Sequence, residues 1–289
     1  MVRAAIHAGV WSTNTAPDAV ARTLDAAAGA GFDALALPLR DLPALRPAEL
    51  AARFRAAGIA ALGTAGLPPG CAIASADAQE RRRGEDHLHR VIAAAAEIGI
   101  EQVNGVFYGR LGHAGQLPPP EAARRSAEVI HRIAGAAQAA GIRLCAELVN
   151  RYETALLNTV DQALDYLALV DHPNLRLHLD TYHMAIEETR PADALRKALP
   201  VLGYYELDQS HRGRLDEGAL DLRAISAPIA GRYDGLVGVE AFARSRLAPD
   251  HADGLAIWRD HFDDGTALAR QARALIREIF EQPAAGGTT

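Results

Sequence analysis

The chain has 289 residues, of which 49% are hydrophobic, and its 30 basic and 36 acidic side chains are interspersed for a formal charge of −6. No uninterrupted apolar run approaches the roughly 20 residues that cross a bilayer, and no basic stripe of the kind that grips nucleic acid is present. Neither a membrane nor a nucleic acid is therefore an expected partner, and small-molecule chemistry is the better starting point.

Residues 1–7 run directly into a strand-like segment and lack the longer apolar region and small-residue cleavage site of a secretory signal, so the cytoplasm is the expected location. Short apolar runs suited to strands lie at 4–11, 33–39, 59–64, 102–108, 142–148, 175–180, 202–207 and 235–242. Ala-rich amphipathic stretches suited to helices alternate with them near 17–30, 47–57, 79–98, 120–140, 159–170, 191–199 and 219–230, with a last near 263–281. A joint recurs at 27–33, 56–60, 97–101 and 139–143, where a helix ends on a Gly that tolerates the left-handed cap and a strand begins at once.

Strict βα alternation predicts a parallel sheet, whose strands are buried on both faces and read as continuous apolar runs. Eight such units predict one α/β domain over residues 1–282, a single (β/α)8 or TIM barrel. The rival is an open doubly wound sheet, but its Gly-rich nucleotide fingerprint is missing after the first strand, where His7-Ala-Gly-Val-Trp-Ser-Thr-Asn14 stands. Residues 283–289 are expected to form a disordered tail. The irregular stretches 109–119 and 243–261 follow strands four and eight, which puts both over the active face. Cys71 and Cys145 stand far apart in unlike contexts and suit reduced thiols.

In such a barrel the site forms at the C-terminal ends of the strands. Glu147, Asp180, Glu206 and Glu240 fall at or near those ends in four consecutive units. One carboxylate there is commonly just solvated; four converging on a small volume repel strongly unless a cation compensates. An oxygen-rich set suits Mn²⁺ or Mg²⁺, although carboxylates also hold Zn²⁺ or Co²⁺. His183, three residues past Asp180, and His211, after strand seven, are candidates for binding substrate oxygens, each weighed against an ordinary solvated loop histidine. Arg212, Arg214, Arg244 and Arg246 suit either an anion site or a solvated basic loop.

Three segments carry a resemblance: Glu147-Leu-Val-Asn-Arg-Tyr-Glu153, Leu179-Asp-Thr-Tyr-His-Met-Ala-Ile-Glu-Glu-Thr189 and Val239-Glu-Ala-Phe242. They resemble signature segments of the ketose 3-epimerases (tagatose, psicose and ribulose 3-epimerases) of the xylose-isomerase-like barrels, and the likeness spans nearly the whole chain after residue 60. The resemblance implies that Glu147, Asp180 and Glu240 are metal ligands, that Glu147 and Glu240 are also the acid/base pair, and that Glu153, His183 and Arg212 contact substrate oxygens. It implies a divalent metal, Mn²⁺ first with Mg²⁺ or Co²⁺ as alternatives, a sugar substrate, and a homodimer or homotetramer. The chain departs from the pattern at the fourth ligand, where Glu206 replaces a His. It departs again at His211, in place of an Asn, and at Ala36, where an acidic residue is usual.

The expected reaction is epimerisation beside a ketone through an enediolate, one carboxylate removing the proton and the other returning it on the opposite face. An aldose–ketose isomerase or keto-glycoside epimerase on the same barrel uses the same intermediate, and a catalytically inactive sugar-binding barrel is the alternative from another class.

Overall fold

The computed structural model describes residues 2–112 and 115–281, so the tail expected at 283–289 lies outside it, as do His113 and Ala114. Eight parallel strands, β1 (Arg3–His7), β2 (Ala34–Pro38), β3 (Ala60–Thr64), β4 (Gln102–Gly105), β5 (Arg143–Leu148), β6 (Leu175–Asp180), β7 (Leu202–Leu207) and β8 (Leu236–Val239), pair in chain order. Strand β8 closes back on β1 through Arg3↔Leu236 and Ala4↔Val237, which makes the sheet a closed barrel. Helices α1 (Pro17–Gly29), α2 (Pro47–Ala57), α3 (Ala78–Ile98), α4 (Glu121–Ala139) and α5 (Val160–Val170) connect the first six strands. They are followed by α6 (Thr181–Glu187), α7 (Pro191–Ala198), α8 (Leu222–Ser226), α9 (Pro249–Gly254) and α10 (Gly265–Ile276). No described helix is long and apolar enough to cross a membrane.

Local chemistry explains the boundaries. Pro47 opens α2, where its missing N–H costs no hydrogen bond, and Gly58 closes it in the left-handed region at φ 66°. Helix α5 starts in a capping box, with the Thr159 side chain accepting from Gln162 N and the Gln162 side chain accepting from Thr159 N. Strands β6 and β7 have the bounds expected from sequence. Strand β1 stops at His7, short of the expected 11, because the His7 Nδ1 accepts from Gly9 N at 3.1 Å and starts a tight turn. Strand β4 stops at Gly105, whose φ of 123° and 2.3 Å approach of a would-be Cβ to the Ala65 carbonyl admit only glycine. The helix expected at 219–230 shrinks to α8, which starts from an Asp221 cap accepting from Ala224 N at 3.0 Å and ends before Pro228, which has no N–H to continue the ladder. Helix α6 was not expected at all.

The apolar residues divide into layers. The larger core lies between strands and helices, and a smaller cluster of Ala5, Ala34, Ala36, Leu62, Cys145, Tyr204 and Leu236 plugs the barrel interior. Ala36 is thus part of the plug, packed among apolar neighbours rather than at the cavity. The plug is the floor on which the polar residues at the strand ends stand.

Candidate active site at the barrel mouth

Strand alternation sends every second residue inward, and the register decides which ones meet. Glu147 on β5 pairs with His178 on β6, and Asp180 on β6 pairs with Glu206 on β7. The second pairing depends on a register shift, because Leu177 pairs with Leu202 whereas His178 pairs with Tyr204. The extra β7 residue, Gly203, has no room for a side chain: a Cβ there would lie 2.5 Å from Cys145 Sγ. This bulge turns Tyr204 and Glu206 inward. On β8, Gly238 is required by the same layer, since its Cβ would meet the Tyr204 hydroxyl at 2.1 Å. Glu240 follows directly after β8, its N–H donating to Leu207 O at 3.2 Å.

The mouth encloses a cavity of about 430 Å³ lined by Glu147, Glu153, His183, Arg212, Glu240 and Phe242, among others. Gly112 and, from the segment after β8, His251 and Leu255 also line it, so both irregular stretches lie over the active face as expected. Asp180 and Glu206 sit beneath the cavity wall, buried at 0% and 3% exposure.

His183 occupies the first turn of α6 rather than a loop. Its Nδ1 accepts from the Asn150 N–H at 3.1 Å and stands 2.9 Å from Asn150 Nδ2. The hydrogen of the neutral ring is therefore on Nε2, which lies 3.7 Å from Glu147 Oε1 and 3.9 Å from Asp180 Oδ2. Burial, and then the Arg212 charge, hold His183 well below the usual imidazole range. Asn150 also donates to Glu153 Oε1 at 3.1 Å, so one amide positions two cavity side chains.

Among the described residues, Arg212 is the one arginine or lysine within this group of carboxylates. Its Nε donates to Asp208 Oδ2 at 2.9 Å, its Nη2 donates to Glu240, and its Nη1 lies 3.8 Å from Glu153 Oε1. The guanidinium is sandwiched between the Tyr182 and Phe242 rings, 4.7 and 4.8 Å from their centroids. Burial disfavours its charge, but Glu240, Asp208 and Glu153 outweigh burial and hold it well above its ordinary value.

Burial pushes the Glu147 carboxyl up to about 8, with Glu240 and Glu206 pushing the same way against His178 and Arg212. Burial also lifts Asp180, Glu206 and Asp208 well above the carboxylate range, reinforced at Asp180 by Asp208 and at Glu206 by Glu240. A site that raises four carboxyls together binds positive charge in some form. Three overlapping sets, Glu147 with Asp180 and His183, Glu147 with His178 and Glu206, and Asp180 with Glu206 and Glu240, each bring ligand atoms within 4.8 Å of one another. The Asp180 Oδ2 is buried with no hydrogen-bond partner, as an oxygen aimed at a cation is. The donors fit a divalent ion that favours oxygen.

Of the residues expected from sequence, Glu147, Asp180, Glu206, Glu240, Glu153, His183 and Arg212 come together. His211 does not line the cavity; its ring packs against His261 at 5.4 Å between centroids. Arg214 pairs with Asp216, and Arg244 binds Ile257 O and Asp253. Arg246 donates to Asp263 O, so all three pin neighbouring segments. His178, Asp208 and Asn150 were missed. The first two were within reach, since each is two residues from an expected ligand and alternation puts it on the same face.

The sequence profile described as xylose isomerase-like TIM barrel matches residues 24–277. An L-ribulose 3-epimerase from Mesorhizobium japonicum is 36% identical over 279 residues, covering 96% of this chain and 93% of the relative. A ketose 3-epimerase from Arthrobacter globiformis is 34% identical, with coverage of 94% on both sides. The crystal structure of a D-allulose 3-epimerase from Methylomonas sp. in complex with D-allulose superposes with a TM-score of 0.93 at 30% identity, over 96% of this chain and 97% of that one.

Proposed function

The chain belongs to the ketose 3-epimerases of the xylose isomerase-like TIM-barrel family, and we propose that it inverts the carbon next to the ketone of an unphosphorylated ketose by proton removal and return. The observation that carries this reading is the placement of Glu147 near the end of β5 and Glu240 just after β8, both at the cavity, with Asp180 and Glu206 on the two strands between them.

Glu147, Asp180, Glu206 and Glu240 are the residues that would hold a divalent ion, and Mn²⁺ suits their oxygens. Such an ion would polarise the ketone and stabilise the enediolate. Glu147 and Glu240 address the reacting carbon from two sides, so whichever carboxylate removes the proton, the other returns it. Arg212, tied to Asp208, fixes the orientation of Glu240. The His183 Nε2–H is a donor for a substrate oxygen, and Glu153 is an acceptor for a hydroxyl.

The two arginines lining the cavity each face a carboxylate, Arg40 at 3.9 Å from Asp250 and Arg212 as above. Arg212 is committed to Asp208 and Glu240 at the floor of the cavity, which favours neutral hydroxyls over a phosphate there. Incubating the protein with Mn²⁺ and ketopentoses or ketohexoses in deuterated water tests the reading. Epimer carrying one deuterium at the inverted carbon is expected; aldose as the major product would point to the isomerase instead.

A further inference from the structure

The proposed metal-dependent reading rests on carboxylates, but a histidine stands among them. His178 projects from β6 one layer below Asp180 and is only 2% exposed. Its Nε2 is 3.0 Å from Glu206 Oε2 and its Nδ1 is 3.7 Å from Glu147 Oε2. Neither contact is aligned as a hydrogen bond, and both ring nitrogens are buried without a partner. Such a ring is costly unless something engages it. The Tyr204 ring, edge-on at 4.7 Å and 87°, holds the imidazole in place. The Tyr204 hydroxyl reaches Glu206 Oε1 at 3.3 Å and so fixes the carboxylate opposite.

Two other buried histidines at the barrel mouth, His183 and His7, are committed. His183 accepts from Asn150 through Nδ1 and His7 accepts from Gly9 through Nδ1, so in each the Nε2 carries hydrogen and has no lone pair to offer. His178 has no such constraint. Its ligand atom lies within 4.8 Å of those of Glu147 and Glu206, a spacing that donors about 2.0–2.3 Å from a shared ion satisfy.

We propose that His178 is the nitrogen ligand of the metal centre, binding from the barrel floor alongside Glu147 and Glu206. A nitrogen among oxygen donors raises affinity for later first-row ions relative to Mn²⁺ and Mg²⁺. Metal preference is then set by a residue inside the barrel rather than by the rim that meets substrate.

Pulsed electron paramagnetic resonance of the Mn²⁺-loaded full chain, made with ¹⁵N-histidine, reads nitrogen coordination directly. The wild type is expected to show coupling from one coordinated imidazole. His183→Asn is expected to keep it. His178→Gln is expected to lose it and to weaken Mn²⁺ binding by ~10–100-fold, read by titrating free Mn²⁺. Should His178→Gln not fold, the wild type and His183→Asn decide the matter between them. Bound Mn²⁺ without nitrogen coupling in the wild type, or coupling lost in His183→Asn, overturns the assignment while leaving the epimerase reading intact. Absence of stoichiometric Mn²⁺ binding would overturn the metal-dependent reading, and this assignment with it.

Discussion

Asp208 accepts from Arg212 Nε at 2.9 Å, and that bond fixes the angle at which the guanidinium meets Glu240. Arg212 adopts a left-handed backbone with φ 56°, unusual for a residue with a side chain. Backbone bonds on both sides hold it there, from its own N–H to Gln209 O at 2.8 Å and from Phe242 N to its carbonyl at 2.7 Å. The strain sits beside the reacting carboxylate, where rigidity is useful.

Asp208→Asn removes one of the three acidic side chains that face the Arg212 guanidinium and loosens its orientation. With Glu240 and Glu153 still facing Arg212, the variant is expected to lose about 1–3 kcal/mol of stability, as the loss of a buried hydrogen-bond partner of a charged group does. It should also lower kcat more than it raises KM, because the misplaced group is Glu240 rather than a substrate-binding one. Chemical denaturation together with steady-state kinetics checks both; an unchanged denaturation midpoint contradicts the first.

Glu206 is expected to be a metal ligand in spite of its departure from the histidine pattern. Glu206→Gln should weaken Mn²⁺ binding by about 10-fold or more, measured by calorimetric titration. Glu206→His should keep binding and shift preference toward Co²⁺ or Zn²⁺. Equal affinity for Mn²⁺ in wild type and both variants would remove Glu206 from the ligand set.

Burial lifts Glu147 from 4.5 to about 8, and Asp180 and Glu206 rise with it. Each then binds its proton more tightly in the folded chain than in the unfolded one. Their contribution to stability is present below the unfolded pKa and is lost as pH rises through the folded one. Chelator-treated protein should accordingly show a melting temperature that falls between about pH 5 and about pH 8, and Mn²⁺ should remove most of that fall by displacing the protons. Thermal scans across this range, with and without Mn²⁺, provide the check. A melting temperature of the chelated protein that rises with pH would have the opposite sign.

Much of the fold and site was legible because parallel strands, capped helices and strand-end carboxylates are local patterns. β6, β7 and α2 have the expected bounds, and Glu147, Asp180, Glu206 and Glu240 converge as their strand-end positions imply. What stayed hidden depends partly on short side-chain caps that composition does not announce and partly on contacts distant in sequence. His7 ends β1 with a side chain that reads as part of a strand, and α6 begins from an Asp180 cap, its side chain accepting from Tyr182 N at 2.7 Å. The β7 bulge exists because Gly203 must pass Cys145 and Arg176, which no local pattern reports. His178 and Asp208 follow from alternation once the ligands are placed, but their meaning comes from the unpaired nitrogens of one and the guanidinium held by the other.

Solvent isotope exchange in the two carboxylate variants tests the central claim most directly. Wild-type protein with Mn²⁺ in deuterated water should return epimer labelled at the inverted carbon. Glu147→Gln and Glu240→Gln should each abolish net epimerisation, and a variant that still binds Mn²⁺ is scored separately for exchange of the substrate proton on the remaining face. Exchange without inversion in either variant is the outcome the two-base account predicts. Full epimerase activity in Glu147→Gln or Glu240→Gln, or wild-type epimer formed without solvent deuterium, would contradict it.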